Sequence, residues 1–161
     1  MSKSTTSAGV VLTLNEEDDL DRALTSLSWC DELLVLDSGS TDSTYDIAIK
    51  HGASFSTHIQ DSPFLITTQR NWALEHCGLT SQWVLFIDAD EEIGPLLREH
   101  IISAISTNTA CTAYELTPRY WFLGKWLKKT QGYPNWHPRL LRRGTNTFVG
   151  GVWESFSSKS N

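Results

Sequence analysis

The stretch VLFIDADEEI, residues 84–93, runs from four apolar residues straight into a cluster of acids. Residues 83–88 have the length and continuous apolar character of a strand that is covered on both faces of a parallel sheet. Side chains two positions apart in an extended segment project to the same side, so Asp88 and Asp90 can be directed at one point. Two adjacent carboxylates repel unless a cation lies between them. The stretch therefore predicts a strand that ends in a pair able to hold Mg²⁺ or Mn²⁺, with phosphate oxygens of a substrate completing the coordination.

The acids have a simpler interpretation as well. Asp90, Glu91 and Glu92 precede Gly94 and Pro95, and proline is favoured in the first turn of a helix. Acidic side chains stabilise the positive N-terminus of a helix. We prefer this interpretation for Glu92 and the metal interpretation for the Asp88 and Asp90 pair.

Strand-like and helical patterns alternate along the first 110 residues. The strand-like runs lie at 8–14, 32–37, 53–59 and 83–88. Helical patterns separate them, and Gly52 and Gly78 are expected to end two of the helices in a left-handed conformation. Further strands are expected near 112–117, 138–142 and 147–153. This order predicts an α/β domain with a mostly parallel central sheet flanked by helices, which binds its ligand at the carboxyl ends of the strands.

Acids gather at these strand ends. They are Glu16 and Glu17 after the first strand, Asp37 and Asp42 after the second, and Asp88 and Asp90 after the fourth. The segment DSGSTDST, residues 37–44, is a glycine-containing turn rich in hydroxyls, which predicts a nucleotide-recognition loop. Asp37 and Asp42 could accept hydrogen bonds from a base or ribose there, and one of Ser40, Thr41 and Asp42 is expected to cap the next helix. The segment lacks the lysine and the spacing of a phosphate-binding P-loop.

Charge is distributed unevenly along the 161 residues, whose net charge is −6. Residues 117–150 carry seven Lys or Arg and no acid, together with seven Tyr, Trp or Phe. Such a stretch is typical either of a surface for anionic ligands, sugars or a membrane interface or of a merely solvated basic face, and the composition leaves both interpretations open. Nucleic acid is a poor candidate partner because the rest of the chain is strongly acidic.

The remaining composition indicates a globular cytoplasmic protein. No run of residues is apolar for the length that a membrane span needs, and the N-terminus lacks the pattern of a signal peptide. Cys30, Cys77 and Cys111 are widely spaced, which favours buried free thiols over disulfides or a metal site.

Several segments together resemble the inverting family 2 glycosyltransferases, and among them the bacterial sugar transferases of lipopolysaccharide inner-core assembly. They are LTLNEEDDLDRALTSLSWCDELLVLDSGSTDST, QRNWAL, FIDADEE, FLGKWLKK, GYPNWHPRLLRR and FVGGVWESF. The resemblance spans nearly the whole chain in the same order. It implies one GT-A domain over residues 1–161, with the nucleotide-sugar-binding half at 8–110 and part of an acceptor-side half at 111–161. It also implies a nucleotide-sugar donor, typically UDP-linked, a glycan or glycolipid acceptor, a divalent metal, and action at the inner face of the cytoplasmic membrane.

The resemblance assigns roles to individual residues. The positions that match donor-binding residues are Glu16, Asp37, Asp42, Arg70, Asn71, Asp88, Arg139 and Arg142, with Glu17 assisting. Asp88 and Asp90 match the metal-binding pair. Glu154 matches the catalytic base, which would remove the proton from the attacking hydroxyl of the acceptor.

Two departures from the family pattern leave an alternative open. Trp153 stands where the family has histidine, and an indole offers no nitrogen lone pair. The sequence also stops shortly after Glu154, where relatives continue with further helices, so we expect a shortened member or a fragment. The alternative function is a catalytically impaired nucleotide-sugar-binding module. A receiver-like signalling domain also clusters acids at strand ends, but this chain lacks an evident lysine after a late strand.

Overall fold

The computed structural model describes residues 5–107, 110–129, 132–150 and 154–158. The strands in chain order are β1 Ser7–Thr13, β2 Glu32–Asp37, β3 Ser54–Thr57, β4 Trp83–Asp88, β5 Ala113–Leu116, β6 Trp121–Phe122, β7 Lys125–Trp126, β8 His137–Arg142, β9 Asn146–Gly150 and β10 Glu154–Ser158. The helices are α1 Leu20–Ser26, α2 Thr44–Lys50, α3 Ile66–His76 and α4 Pro95–Thr107.

Six strands form the central sheet in the order β3-β2-β1-β4-β8-β5. The strands β3, β2, β1 and β4 run parallel, while β8 pairs antiparallel with both β4 and β5. Two small antiparallel ribbons, β6 with β7 and β9 with β10, lie outside this sheet. The predicted α/β class with a mostly parallel sheet is confirmed.

Both faces of the sheet are covered, which explains the continuously apolar strands. One face packs against residues of α1, α2 and α4, including Leu24, Ala48 and Ile101. The other face packs against α3 and β9 through Ala73 and Phe148. Successive side chains of β1 pack alternately into the hydrophobic cores on the two faces of the sheet, as the two-residue period of a strand requires.

The predicted glycine ends of two helices and the predicted proline at the start of another are present in the structure. Gly52 and Gly78 follow α2 and α3 with φ of 71° and 67°, and Pro95 is the first residue of α4. The three cysteines are free thiols, but they are half-buried rather than buried. In the portion of the chain that the structure describes, no helix has the length and apolar character needed to cross a membrane.

Candidate active site

The carboxyl ends of β1, β2 and β4 lie side by side at one edge of the sheet. In the register of the sheet, Leu12 is paired with Asp88 and Thr13 is paired with Asp37. The loops after β1 and β2 and the acidic segment after β4 therefore meet at this edge, as predicted. It is the place where open α/β sheets bind their ligands.

Asp88 is the centre of an ion-pair network. Its Oδ1 and Oδ2 accept hydrogen bonds from Nη1 and Nη2 of Arg139 at 3.2 and 3.0 Å, and its Oδ1 lies 3.4 Å from Nη2 of Arg70. Burial raises the pKa of the Asp88 carboxyl, but the two guanidinium groups outweigh it and hold the pKa below its usual range. The structure thus brings together three of the predicted donor-binding residues.

Glu91 completes this network, although its sequence position did not single it out as a site residue. Its Oε1 accepts a hydrogen bond from Arg139 at 3.0 Å, and its Oε2 accepts one from the backbone N–H of Asp88 at 2.9 Å. Burial raises the pKa of Glu91, and the neighbouring Asp88 carboxylate adds to this while Arg139 opposes it. The first turn of α4, which begins at Pro95, contains no acid, and the Glu91 carboxylate is bound by Arg139 and the backbone of Asp88. For Asp90 and Glu92 the helix-terminus interpretation stays a prediction.

Arg70 is almost completely buried beneath the site. It projects from α3, and its guanidinium lies 5.4 Å from the ring centroid of Phe148 and 6.0 Å from that of Phe86. Aromatic faces stabilise a cation that has lost its water. Arg70 therefore supplies fixed positive charge to Asp88 from below.

Asp37 organises the loop that follows β2. This buried carboxylate accepts hydrogen bonds from Thr13 Oγ1 at 2.9 Å, from the backbone N–H groups of Gly39 and Ser40 at 2.8 and 2.7 Å, and from the Ser40 hydroxyl. Gly39 has a φ of 108°, which a side chain would disfavour. In this structure Asp37 positions the loop from inside rather than presenting its carboxylate to solvent.

The loops after β1 and β2 are joined by reciprocal hydrogen bonds. Asn15 donates its N–H to Ser40 Oγ at 2.7 Å and accepts one from the N–H of Thr41 at 2.9 Å. Glu17 donates its N–H to Asp42 Oδ2 at 3.1 Å and accepts one from the N–H of Ser43 at 3.0 Å. The two loops form a single surface.

Asp42 also prepares the start of α2. Its Oδ1 accepts a hydrogen bond from the N–H of Thr44 at 3.0 Å and another from the Thr44 hydroxyl, and these bonds lower the pKa of Asp42. The N-cap position itself is Ser43, which makes no capping hydrogen bond through its side chain. Of Ser40, Thr41 and Asp42, one of which was expected to cap this helix, Asp42 is therefore the residue whose side chain binds the N-terminus of α2.

Gln69 links this surface to α3, and nothing in its helical sequence context had indicated this. Its amide donates to Ser38 Oγ at 3.1 Å and to the His58 carbonyl at 2.9 Å, while its Oε1 lies 2.8 Å from His58 Nδ1 and accepts a hydrogen bond from Gln60 at 2.7 Å. Gln69 is fully buried. It therefore fixes Ser38 at the mouth of the loop.

Two predicted residues lie apart from this cluster. Asn71 pairs its amide with the backbone of Phe148, donating to the carbonyl at 2.8 Å and accepting from the N–H at 2.9 Å, so it fastens α3 to β9. Arg142 is paired with Trp83 at the amino end of β4, and its guanidinium lies 5.2 Å from the Trp83 ring centroid. Arg139 and Arg142 are three positions apart on a strand, so they project to opposite faces.

The negative charge at this edge fits a divalent cation. Burial raises the pKa of Glu16, and the carboxylates of Asp90, Asp19, Asp42 and Asp88 raise it further. Carboxylate oxygens beside an exposed edge are the ligands that Mg²⁺ and Mn²⁺ accept. No three His, Cys, Asp or Glu side chains among the described residues are already arranged as a metal cage. A cation held at Asp90 and Asp88 would therefore take its other oxygens from a bound ligand or water.

The backbone of Glu154 opens β10 and is paired with Gly150 of β9. The side chain of Glu154 and the whole of Trp153 lie outside the described residues. The assignment of Glu154 as the base stays a prediction.

The sequence of this chain is similar to those of known glycosyltransferases. Residues 10–156 match the family described as Glycosyl transferase family 2. The lipopolysaccharide core biosynthesis glycosyltransferase LpsC of Rhizobium meliloti is 28% identical over 140 residues, which cover 86% of this chain and 51% of that protein. The uncharacterized glycosyltransferase RC0292 of Rickettsia conorii is 38% identical over 105 residues, which cover 63% of this chain and 35% of that protein. The chain thus spans about a third to a half of the length of these relatives.

Solved structures give the same fold. Glucosyl-3-phosphoglycerate synthase of Mycobacterium tuberculosis in complex with UDP superposes with a TM-score of 0.60 at 27% identity, over 73% of this chain and 46% of that one. The same enzyme with Mn²⁺, UDP and glucosyl-3-phosphoglycerate gives a TM-score of 0.56 at 27% identity, over 69% and 43% of the two chains. The predicted GT-A fold is confirmed.

Proposed function

Because the chain belongs to glycosyl transferase family 2, we propose that it transfers a sugar from a nucleotide-sugar donor to a cell-envelope glycan or glycolipid. The similarity to a lipopolysaccharide core glycosyltransferase supports the acceptor class. The similarity to structures that contain UDP supports a UDP-linked donor. An acceptor of this class would place the protein at the inner face of the cytoplasmic membrane.

The observation that carries the proposal is the ion-pair network at the end of β4. Arg139 and Arg70 converge on Asp88 at an edge where carboxylates otherwise predominate. Two guanidinium groups fixed by ion pairs can neutralise the charge that develops on a leaving diphosphate, and they need no rearrangement to do so. A purely structural ion pair would not require this position at the carboxyl edge of the sheet.

The nucleoside would bind on the joined loops that follow β1 and β2. Asp37 holds the Ser38–Ser40 turn, and Gln69 holds Ser38, so the loop is preorganised before any ligand arrives. Glu16 and Asp42 then present carboxylates and backbone groups at the surface to the ribose or base. A rigid site of this kind loses little conformational entropy when the donor binds.

Asp90 and Asp88 are the residues that would hold Mg²⁺ or Mn²⁺ together with the donor diphosphate. The cation supplies charge neutralisation to the leaving diphosphate when bound. Asp90 is exposed and Asp88 lies beside it at the strand end. The two residues thus provide the carboxylate oxygens that such a cation prefers.

Glu154 would complete the reaction as the general base. An acceptor hydroxyl attacks the anomeric carbon from the face opposite the diphosphate, which inverts the configuration in one displacement. The hydroxyl proton passes to the carboxylate of Glu154 as the new bond forms, and the diphosphate leaves with the bonding electrons. The backbone of Glu154 lies on β10, which packs beside α3 through β9.

The second candidate function is nucleotide-sugar binding without transfer. Trp153 in place of the family histidine favours it, since an indole can neither bind a cation through nitrogen nor orient an acid as an imidazole does. Release of the nucleoside diphosphate in the presence of a glycolipid extract separates the two functions, because only the transferase produces it beyond the rate of spontaneous donor hydrolysis.

Titration of UDP into the protein by calorimetry, first with Mn²⁺ and then with EDTA, tests the donor site. We expect binding that depends on the cation. Parallel titrations with ADP and GDP are the controls for the base. Absence of binding for every nucleotide in both buffers, from protein that unfolds cooperatively, would contradict the proposal.

A further inference from the structure

We propose that the aromatic hairpin, residues 120–127, inserts its tip into the surface of an anionic lipid bilayer. The hairpin consists of β6 and β7, in which Trp121 is paired with Trp126 and Phe122 with Lys125. A hydrogen bond from the N–H of Leu127 to the carbonyl of Tyr120, at 2.9 Å, extends the ribbon. The proposal concerns a surface outside the donor loops and does not depend on the transfer reaction.

The tip of the hairpin exposes contiguous apolar side chains. Trp121 and Phe122 are each 63% exposed and Leu123 is 86% exposed. Contiguous exposed apolar residues on a soluble surface mark an interaction site. Trp126, in contrast, is half-buried and packs edge-on against Tyr133 at 5.4 Å, so the hairpin is anchored on one side and open on the other.

The turn residue Leu123 is a poor choice for folding alone. Leu123 and Gly124 have φ of 47° and 73°, the two positive values of a tight hairpin turn. Asparagine or glycine is favoured at the first of these positions, and a branched apolar side chain there is costly. Leu123, the most exposed apolar residue of the hairpin, thus occupies a turn position where asparagine or glycine would be more stable. This indicates that its side chain has a role outside folding.

Positive charge flanks the hairpin, with Lys125 next to the tip and the other cations near the base. The exposed cations near the hairpin are Arg119, Lys125, Lys128 and Lys129. The guanidinium of Arg119 and the ammonium of Lys128 lie 4.7 and 5.0 Å from the Trp126 ring centroid, and these contacts hold both charges beside the ribbon. Residues 117–150 contain no acid that would offset them.

Apolar insertion framed by cations fits an anionic lipid surface better than other partners. Tryptophan favours the headgroup region, and each lysine near an anionic membrane strengthens binding about fivefold. A second copy of this chain docked through the same hairpin would bring two basic surfaces together, and these would repel each other. A sugar chain would find no hydrogen-bonding group on the Leu123 side chain.

The hairpin emerges from the same edge of the sheet as the candidate active site, at the carboxyl end of β4. Residues 117–136 connect β5 to β8, and they leave and rejoin the sheet at the Leu116 and His137 pair. Because Leu85 is paired with Leu140, this pair lies toward the carboxyl end of β4, where Asp88 is located. A hydrogen bond from the N–H of Asn135 to Thr117 Oγ1, at 3.0 Å, closes the base of the excursion. Insertion of the tip would therefore bring the site edge toward the membrane.

Vesicle cosedimentation tests the proposal without donor or acceptor. The protein is mixed with vesicles of phosphatidylcholine alone or of phosphatidylcholine with phosphatidylglycerol. We expect binding to the anionic vesicles and at least about tenfold weaker binding when Trp121→Ser, Phe122→Ser and Leu123→Asn are combined. The matched control is Leu96→Ser, which removes a 63% exposed apolar side chain from α4 and should leave binding unchanged.

A second variant separates charge from insertion. Lys125→Gln with Lys129→Gln should weaken binding to anionic vesicles by about 25-fold if each lysine contributes about fivefold. Full binding by the triple apolar variant, or no binding of the unaltered protein to anionic vesicles, overturns the proposal. So does a concentration-dependent dimer in sedimentation velocity that the triple variant abolishes while vesicle binding is absent. Unchanged UDP affinity of the triple variant would show that its donor site is intact, so failure of vesicle binding is distinct from failure of the proposed transfer.

Discussion

Arg139 holds Asp88 through two parallel hydrogen bonds, from Nη1 to Oδ1 at 3.2 Å and from Nη2 to Oδ2 at 3.0 Å. The arginine comes from β8, which runs antiparallel beside the strand that carries Asp88. Arg139 is buried and Asp88 is half-exposed, so removing Asp88 leaves the buried guanidinium with Glu91 as its remaining carboxylate partner in this network. Replacing Asp88 therefore changes folding and ligand binding together, and Asp90 gives the cleaner test of the cation.

Asp90→Asn should weaken Mn²⁺-dependent UDP binding by at least about tenfold, equivalent to about 1.4 kcal/mol. The change removes a charged oxygen ligand from an exposed position, so the free energy of unfolding should change by less than about 0.5 kcal/mol. Calorimetric titration and urea denaturation measure the two quantities. Glu92→Gln is the control, since Glu92 is also exposed but lies 3.7 Å from Arg22 instead. Equal UDP affinity in Asp90→Asn and the unaltered protein would remove Asp90 from the cation site.

Glu154→Gln should abolish sugar transfer, by about 10²–10⁴-fold, and leave UDP affinity unchanged. Glutamine retains the shape of the side chain but cannot accept the hydroxyl proton. Nucleoside diphosphate release with a glycolipid extract measures the transfer. Glu115→Gln, an exposed acid on β5, serves as the control. Undiminished transfer by Glu154→Gln would exclude this residue as the base.

Asn71→Ala should lower the free energy of unfolding by about 1–3 kcal/mol, because two backbone groups of Phe148 lose their partners. Hydrogen exchange at the Phe148 amide should accelerate at the same time, since Asn71 accepts its hydrogen bond. Glu75→Gln on the exposed side of α3 is the control. The opposite pattern, with stability unchanged and UDP affinity sharply reduced, would instead return Asn71 to the donor-binding role that the family resemblance implies.

Gly9→Ala should destabilise the protein by about 1–3 kcal/mol, as overpacking of a filled core does. A methyl group at position 9 in β1 would lie 3.0 Å from Leu27 Cδ1 and 3.3 Å from Cys30 Sγ. Gly94→Ala is the matched control, because nothing lies within 4 Å of a methyl group there and its φ lies outside the left-handed region. Urea denaturation measures both variants, and equal midpoints would show that helix α1 can move away from the sheet at little cost.

Glu32 predicts a pH dependence. Its carboxylate accepts hydrogen bonds from the N–H of Thr80 at 3.2 Å and from the Thr80 hydroxyl. Burial raises the pKa of Glu32, but these hydrogen bonds outweigh it and the pKa lies below its usual value. The stabilisation is therefore present above the unfolded-state pKa of about 4.3 and lost as the pH falls through the folded-state pKa. Glu32→Gln should be less stable than the unaltered protein at neutral pH, and this difference should shrink in acid. A constant difference across that range would contradict the assignment.

Local patterns account for the parallel half of the fold. The strands at 32–37 and 83–88 have the predicted bounds because each is a continuous apolar run that ends in an acid. The helix ends at Gly52 and Gly78 follow from the left-handed conformation that glycine adopts without strain. The acids that follow these strands lie at one edge of the sheet because parallel strands have their carboxyl ends on the same side.

Long-range features were not predictable in the same way. The antiparallel insertion of β8 between β4 and β5 depends on pairing between distant segments, and no local period encodes it. The strands of the aromatic hairpin are two residues long, and Leu123 replaces the asparagine that usually signals such a turn. Short strands without a turn signal leave no pattern to recognise.

The same limit applies to the site. Gln69 reads as an ordinary polar residue of a helix, and only the tertiary structure shows that its amide is buried against Ser38 and His58. Glu91 reads as one acid in a row, yet it is the one that folds back onto Asp88. Family resemblance grouped Arg142 with Arg139, whereas the alternation of a strand separates them.

The hydrogen bonds between the loops after β1 and β2 have a consequence for how donor preference can change in this family. Asn15 and Glu17 on one loop are matched to residues 40–43 on the other, so neither loop retains its shape when the other is exchanged. A change of donor preference through these loops would require paired substitutions about 25 positions apart, as the sheet places the two loops together. Grafting both segments as one cassette should transfer nucleotide preference between relatives, while grafting either alone should produce a misfolded loop.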